Sequence, residues 1–200
     1  MLPIGSISNV VKYFVTNPNF APALEESLCD FFDIERHNEI DELQPSQMSF
    51  EFFDEWLVFD CMLSSKRTVL EEYLFIHQKQ LSHEYKNIYS DLILTNRYSL
   101  FRYDSIEIDK SITVTDMLGD KQYVIIERKA TREAVLGNYS FLRIASVGGH
   151  YEIVSADGFQ LTPWVLPLRL ITDWKKRKIK FSPLVVYQQM LKPMESGIGD

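Results

Sequence analysis

The clearest chemistry that this sequence offers is the binding of anions. A run of basic residues near the C-terminus is flanked by the aromatic residues Trp174 and Phe181. Basic side chains interleaved with aromatic rings can contact phosphates and stack on bases. We interpret the run as a candidate binding site for nucleic acid or a protein partner, formed by Trp174, Lys175, Lys176, Arg177, Lys178 and Lys180.

Four arginines on the predicted neighbouring sheet would extend this surface, namely Arg97, Arg102, Arg128 and Arg143. The simpler interpretation is a solvated loop, or a loop that pairs with the acidic first half of the chain. Charge asymmetry within one chain is easily neutralised internally, so both interpretations stay open at this point.

A second group of candidates is acidic. Asp54, Glu55 and Asp60 lie beside an aromatic segment, and a carboxylate held against aromatic rings can be tuned for proton transfer. We favour the simpler interpretation that they form the solvated side of a mostly buried helix. Asp60 lies at the negative end of that helix, so we expect Lys66 or Arg67 to pair with it.

Other chemical signatures are missing. His77 and His83 are six residues apart, whereas a zinc-binding helix places its histidines four apart, so we expect two exposed imidazoles. Gly119, Gly137 and Gly148-Gly149 match no phosphate-binding loop and indicate turns. No G-x-S-x-G segment marks a hydrolase nucleophile. The sequence therefore predicts no catalytic residue, no metal and no cofactor.

Composition is that of an ordinary soluble protein. With 200 residues, 46% of them hydrophobic, the chain can bury a substantial core without disulfides or metals. Cys29 and Cys61 are far apart and lack C-x-x-C spacing, so we expect small buried hydrophobic side chains. The start lacks a basic segment before a long apolar run, and no stretch approaches the ~18 apolar residues of a membrane span. These features predict a cytoplasmic protein that does not associate with membranes.

The net charge of −7 is unevenly distributed. Residues 1–97 contain seven Lys and Arg against sixteen Asp and Glu, whereas residues 98–200 contain fourteen against twelve. The acidic first half is therefore a poor candidate for phosphate contact, and the second half remains one.

The chain is organised around Ser46–Leu74, its densest apolar and aromatic stretch. Ser46 or Ser49 can cap a helix there. Thr68 and Glu71 form a capping-box sequence that starts a second helix near Val69. Six large side chains fall on two adjacent rows of the first helix, which predicts a buried, central position: Phe50, Phe53, Leu57, Phe52, Trp56 and Phe59.

Further helices are predicted around Val10–Val15 with Ser8 or Asn9 as the cap, after Pro22, from about Ser82, and after Ser182-Pro183. The acidic loop His37–Gln44 is a candidate for mobility. From Arg97 the hydrophobic period becomes alternating, which indicates strands joined by tight turns, including Gly148-Gly149 and Asp157-Gly158. The strands are predicted at residues 98–108, 111–115, 122–127, 139–147, 151–155 and 159–161.

One stretch resembles a family. The pattern Phe-x-x-Glu-Trp-Leu-x-Phe-Asp from Phe52, a loop with Arg67-Thr68, and Leu-Glu-x-Tyr-Leu from Leu70 are similar to a recurring segment of uncharacterised bacterial proteins. Some of those proteins carry a Cys-rich, SEC-C-type zinc motif. The resemblance covers about Phe52–Arg143 and implies a shared architecture, not an activity. The Cys-rich motif is missing here, so the resemblance implies no zinc site in this chain.

Together these patterns predict an α+β fold: an N-terminal helical bundle packed on a small antiparallel β barrel or curved sheet, with a C-terminal helix closing the fold. The regions are 1–97, 98–165 and 166–200, arranged as one compact unit. The function predicted is a non-catalytic binding or adaptor protein that contacts nucleic acid or a protein partner through its basic C-terminal half. The alternatives are a hydrolase of nucleotides or nucleic acid that uses Asp54 and Asp60, and a self-assembling homo-oligomer.

Overall fold

The structure is a computed structural model that describes residues 2–34, 40, 44–154, 159–163 and 168–195. It is a mixed α+β protein, as predicted, with N-terminal helices, a six-stranded sheet and a C-terminal helical segment. The predictions for most of the acidic loop and for the Asp157-Gly158 turn lie outside the described residues.

The helices, in chain order, are α1 (Ser6–Thr16), α2 (Ala21–Phe32), α3 (Gln47–Phe59), α4 (Val69–His77), α5 (His83–Thr95), α6 (Ala130–Glu133), α7 (Leu168–Arg177), α8 (Pro183–Val186) and α9 (Lys192–Glu195). A 3₁₀ turn, Pro18–Phe20, precedes α2, and a π turn, Tyr187–Leu191, joins α8 to α9. The strands are β1 (Arg97–Glu107), β2 (Ser111–Asp116), β3 (Gln122–Ile126), β4 (Tyr139–Val147), β5 (His150–Ile153) and β6 (Phe159–Leu161).

The chain divides into two compact units. The helical unit is Pro3–Tyr89 with Ser182–Asp200, and the sheet unit is Ser90–Phe181 with Met1–Leu2. The division differs from the three predicted regions in two places. Residues 90–97 and the described part of the basic segment, 168–181, belong to the sheet unit, whereas the C-terminal helices belong to the helical unit.

Local capping signals place the helix starts of the helical unit. The Ser46 hydroxyl accepts the Ser49 amide proton at 3.2 Å. The predicted capping box is confirmed, because Thr68 Oγ1 accepts the Glu71 amide proton at 3.3 Å and Glu71 Oε2 accepts that of Thr68 at 2.7 Å. The cap predicted for α1 is wrong. That helix starts earlier, after Gly5, whose φ of 82° is one that glycine adopts without strain.

Aromatic rings form the core of the helical unit. Phe31 of α2 lies 5.5 Å from both Phe53 and Trp56 of α3, measured between ring centroids. It also stacks on Tyr187 at 4.8 Å, which brings the C-terminal segment into this core. Lys192 Nζ adds an ion pair with Asp33 at 2.8 Å. The C-terminal helices therefore complete the core of the helical unit.

Five strands of the sheet unit close into a ring. β1 pairs with both β2 and β4, β2 pairs with β3, and β5 pairs with both β4 and β3, while β6 adds to β4. The β4–β5 hairpin turns at Gly148 and Gly149, with φ of 59° and 88°, as predicted. The β3–β5 pairing is parallel and joins Ile125 to Tyr151, whereas the sequence predicted antiparallel strands only. No long crossover helix is needed, because the chain returns through the short α6 and β4.

Alternate residues of the strands fill the inside of the ring. β2 and β3 alternate strictly between buried and more exposed positions, as expected for strands with one covered face. The interior is formed by Phe101, Tyr103, Ile112, Val114, Tyr123, Ile125, Leu142 and Ile144.

A buried carboxylate ties the β2–β3 turn to β1. Asp116 is 0% exposed, and its oxygens accept hydrogen bonds from Arg97 Nε at 2.5 Å and from Ser99 Oγ at 2.6 Å. The amides of Leu118 and Gly119 donate to Asp116 Oδ1 at 2.9 and 3.1 Å. Gly119 fits because a Cβ there would lie 2.6 Å from Arg97 Nη2 and 2.8 Å from Asp116 Oδ2.

We expect Trp56→Ala to lower the free energy of unfolding by about 3 to 5 kcal/mol, because it leaves a large cavity beside Phe31. Chemical denaturation would measure the loss. Met48→Ala, at an exposed position of the same helix, is the control and should change stability by less than about 0.5 kcal/mol. Normal stability of Trp56→Ala would contradict the assignment of this ring to the core.

We expect Gly119→Ala to lower the free energy of unfolding by about 1 to 3 kcal/mol, because the new Cβ overlaps a carboxylate that four donors hold in place. In an Arg97→Ala background the contact at 2.6 Å is absent, so the added cost of Gly119→Ala should be smaller. Denaturation would measure the loss of unfolding free energy in both backgrounds. An equal loss would show that the new Cβ does not clash with the Arg97 side chain.

Candidate nucleic-acid interface

The basic residues of the predicted site lie at the end of α7. Trp174 is only 8% exposed, and its ring lies 4.9 Å from that of Phe181 and 6.4 Å from that of Phe141 in β4. The helix then ends, because Lys178 adopts a left-handed φ of 52° and donates its amide proton to the Lys175 carbonyl at 3.1 Å. Burial of Trp174 therefore sets which side of α7 packs on the core of the sheet unit.

Four cations at this helix end face solvent: Lys176, Arg177, Lys178 and Lys180. We call them the α7 basic cluster. None of them forms an ion pair with a residue that the structure describes. Lys175 differs, because its Nζ lies 2.5 Å from Asp120 Oδ1 in the β2–β3 turn. Cations are also favourable near the negative end of a helix, which accounts for part of the local composition.

The aromatic part of the predicted site needs correction. Trp174 and Phe181 lie in the core of the sheet unit, so neither presents a ring face for stacking on bases. The binding role of the cations stays a prediction. With both rings buried, the exposed groups that could contact a ligand there are the charged side chains.

Three of the four arginines predicted to extend the surface have other roles. Arg97 is bound to Asp116, and Arg102 Nε donates to Asp104 at 2.7 Å. Arg143 is 2% exposed, and its Nη1 donates to Asn96 Oδ1 at 2.6 Å. Arg128 is exposed, and its guanidinium forms no ion pair within the described part of the chain.

Arg128 helps to line an open pocket of about 570 Å³ next to α6, together with Lys129, Arg132, Asp109 and Glu133. Arg132 Nη2 is bound to Asp109 Oδ1 at 2.7 Å, which neutralises that carboxylate. Arg128 was predicted from the sequence as part of a basic surface, whereas Lys129 and Arg132 were not. The signal was present as an Arg-Lys-x-x-Arg run directly after a strand.

The two units differ strongly in charge. The sheet unit contains fourteen Lys and Arg against eleven Asp and Glu, a net +3, whereas the helical unit contains seven against seventeen, a net −10. The α7 basic cluster and the pocket both belong to the positive unit. An anionic ligand is therefore favoured on the sheet unit over the helical unit.

The acidic candidates lie in the helical unit. Asp54 of α3 is half-buried, and burial together with the nearby Glu51 charge raises the pKa of its carboxyl group to about 6. Arg67, one of the two cations expected to pair with Asp60, binds Glu72 instead at 3.1 Å. Its guanidinium also covers the Phe75 ring at 3.9 Å.

The histidines and cysteines do not converge. His77 is half-buried rather than exposed, because its ring lies 4.6 Å from that of Tyr13 and 4.5 Å from that of Tyr73. His83 is exposed, as predicted. Cys29 and Cys61 form no disulfide with each other; Cys61 is buried, as predicted, whereas Cys29 is only half-buried. Within the described residues, no three His, Cys, Asp or Glu side chains are grouped so that they could hold a metal ion.

Comparison with known protein families, curated proteins and solved structures finds no match to this chain. The resemblance predicted for about Phe52–Arg143 stays a prediction. In the part of the chain that the structure covers, no helix has the length and apolar character to cross a bilayer.

We expect Asp54→Asn to stabilise the protein at pH 8 by about 1 to 2 kcal/mol, after allowance for partial exposure. Because the pKa of Asp54 is raised in the folded state, the protonated carboxyl group stabilises the folded state relative to the ionised one. This stabilisation is lost as the pH rises through about 6. Denaturation at pH 8, 6 and 4 should show a gain that shrinks towards pH 4. Asp173→Asn, which removes an exposed carboxylate, is the charge-matched control. A gain that is the same at every pH would contradict the raised pKa.

Proposed function

We propose that the sheet unit binds single-stranded nucleic acid through the α7 basic cluster. The observation that carries this proposal is the exposure of four cations within residues 176–180 that pair with no described carboxylate. The simpler interpretation of these basic residues is that carboxylates of the same chain neutralise them. In this segment Lys175 forms such an ion pair, with Asp120. Lysine and arginine side chains that remain in solvent are free to displace counterions from a phosphate backbone.

The contacts proposed are to phosphates rather than to bases. Trp174 and Phe181, which sequence reasoning assigned to stacking, are buried in the sheet unit. Phosphate contacts carry no direct sequence information, so we expect binding with little preference for base composition. They also make affinity strongly dependent on salt concentration.

The architecture supports a single strand as the ligand. Small closed sheets of five strands with a positively charged periphery recur among domains that bind single-stranded nucleic acid. Because one architecture can carry many functions, the chemical support for nucleic-acid binding comes from the cations.

We expect the triple variant Lys176→Gln, Arg177→Gln, Lys178→Gln to bind labelled single-stranded oligonucleotides at least about ten-fold more weakly at low salt. Each lost phosphate contact should reduce the slope of log affinity against log salt by about 0.7, so the three together should reduce it by about 2. Fluorescence anisotropy across a salt series would measure both quantities.

The matched control removes the same charge from the helical unit, with Lys12→Gln, Lys66→Gln and Lys79→Gln at exposed positions. It should leave affinity within about two-fold of the wild type. Equal loss in both triple variants would mean that net charge, not this cluster, governs binding. Absence of binding by the wild type at low salt would overturn the proposal, and cleavage of the oligonucleotide would favour the hydrolase alternative.

A further inference from the structure

Two tyrosines close one end of the five-stranded ring. β3 and β5 run parallel and pair at Ile125 and Tyr151, so the β2–β3 and β4–β5 turns that lead into them lie at the same end. Tyr123 is the second residue of β3, and Tyr151 is the second of β5. Their rings meet edge to face, with centroids 4.9 Å apart. We call this end of the ring, with its two turns, the tyrosine end.

The two tyrosines differ in burial. Tyr123 is 7% exposed and belongs to the interior of the ring, whereas Tyr151 packs against that interior and is only half-buried. Lys121 is exposed, and its ammonium group lies 4.9 Å from the centroid of the Tyr123 ring. The tyrosine end therefore presents part of an aromatic side chain to solvent close to a lysine.

The tyrosine end adjoins the α7 basic cluster. Asp120, which precedes Lys121 in the β2–β3 turn, binds Lys175 Nζ through its Oδ1 at 2.5 Å. The first cation of the cluster, Lys176, follows Lys175 directly in the chain. The turn that carries Lys121 therefore contacts the residue next to the cluster.

Carboxylates also lie near the tyrosine end. Asp116 and Asp120 each form an ion pair with a cation of the sheet unit. Asp91 Oδ2 accepts an amide proton of the β4–β5 turn at 3.1 Å, and Asp173 is exposed on α7. These four carboxylates compare with seven cations in the same turn, strand and helix end: Arg97, Lys121, Lys175, Lys176, Arg177, Lys178 and Lys180.

A fifth carboxylate, that of Glu152, follows Tyr151 in β5. It lies on the opposite face of the strand, because successive side chains of a strand alternate. There its Oε1 lies 2.7 Å from His150 Nε2, and its Oε2 accepts the Leu2 amide proton at 2.8 Å. The cations therefore outnumber the carboxylates even when Glu152 is included, and the charge near Tyr151 favours an anionic ligand.

We propose that Tyr151 stacks on one base of the single strand whose phosphates the α7 basic cluster binds, while Lys121 pairs with an adjoining phosphate. This inference rests on the function proposed above and adds one base contact to it. Every base has a flat face that can stack on an aromatic ring, so the contact raises affinity without sequence preference. It also selects the class of ligand. A polyanion without bases has nothing to stack on Tyr151, and the bases of a duplex are already stacked on one another.

The test compares an oligothymidylate of about eight nucleotides with an abasic phosphodiester chain of the same length, by fluorescence anisotropy at low salt. The wild type should bind the oligothymidylate at least about five-fold more tightly. Tyr151→Leu should bind both ligands as the wild type binds the abasic chain, whereas Tyr151→Phe, which keeps the ring, should retain the preference. Tyr85→Leu, at a half-buried tyrosine of the helical unit, is the matched control and should also retain it.

Cross-linking provides a second measurement, on the unchanged protein. Oligothymidylates that carry 5-iodouracil at each position in turn form a covalent bond on irradiation with an aromatic ring that they contact. Mass spectrometry should then locate an adduct on Tyr151. This measurement decides the proposal if thermal unfolding shows that Tyr151→Leu does not fold, and adducts at other residues alone would overturn it.

The outcomes separate the two proposals. Equal affinity of the wild type for the two ligands, or a preference that survives in Tyr151→Leu, would overturn the base contact and leave the α7 basic cluster as the binding site. An equal loss of affinity for both ligands in Tyr151→Leu would also overturn it, because the ring would then act through the fold and not through a base. Binding of neither ligand by the wild type would refute the proposed function itself.

Discussion

The sheet unit depends on one buried carboxylate, that of Asp116. Removing a carboxylate from water costs several kcal/mol unless hydrogen bonds and an opposite charge compensate. Here Arg97 and Ser99 from β1 and two amides of the following turn supply that compensation together. The same turn carries Asp120, whose carboxylate forms an ion pair with Lys175, so the turn that this network fixes also contacts the end of α7 that the burial of Trp174 orients.

The elements that the sequence predicted well are those with local signals. The Thr68–Glu71 capping box, the Gly148-Gly149 hairpin and the alternation of β2 each depend on residues within a few positions of one another. The parallel pairing of β3 with β5 and the stacking of Phe31 on Tyr187 do not, since they join distant segments whose local patterns suit several partners. Most helix and strand starts could therefore be predicted, with α1 as the exception, whereas closure of the ring and placement of the C-terminal helices could not.

The candidate site shows the same limit at the level of side chains. The sequence identifies cations, but it does not say which face of a helix or strand each one occupies. Arg143 and Arg128 have the same type and lie on neighbouring segments, yet one is buried beside Asn96 and the other is in solvent. Trp174 belongs to the core although it adjoins exposed lysines, because the turn of α7 places consecutive residues on different sides.

Closure of the five-stranded ring also affects how this protein meets other molecules. Strands with unpaired backbone groups at a sheet edge invite added strands from other chains, which leads to aggregation. In the described residues each of the five ring strands has a partner on both sides, and β6, only three residues long, stands at the end of the order. Closure of the ring therefore reduces the backbone edge that the sheet unit offers to added strands.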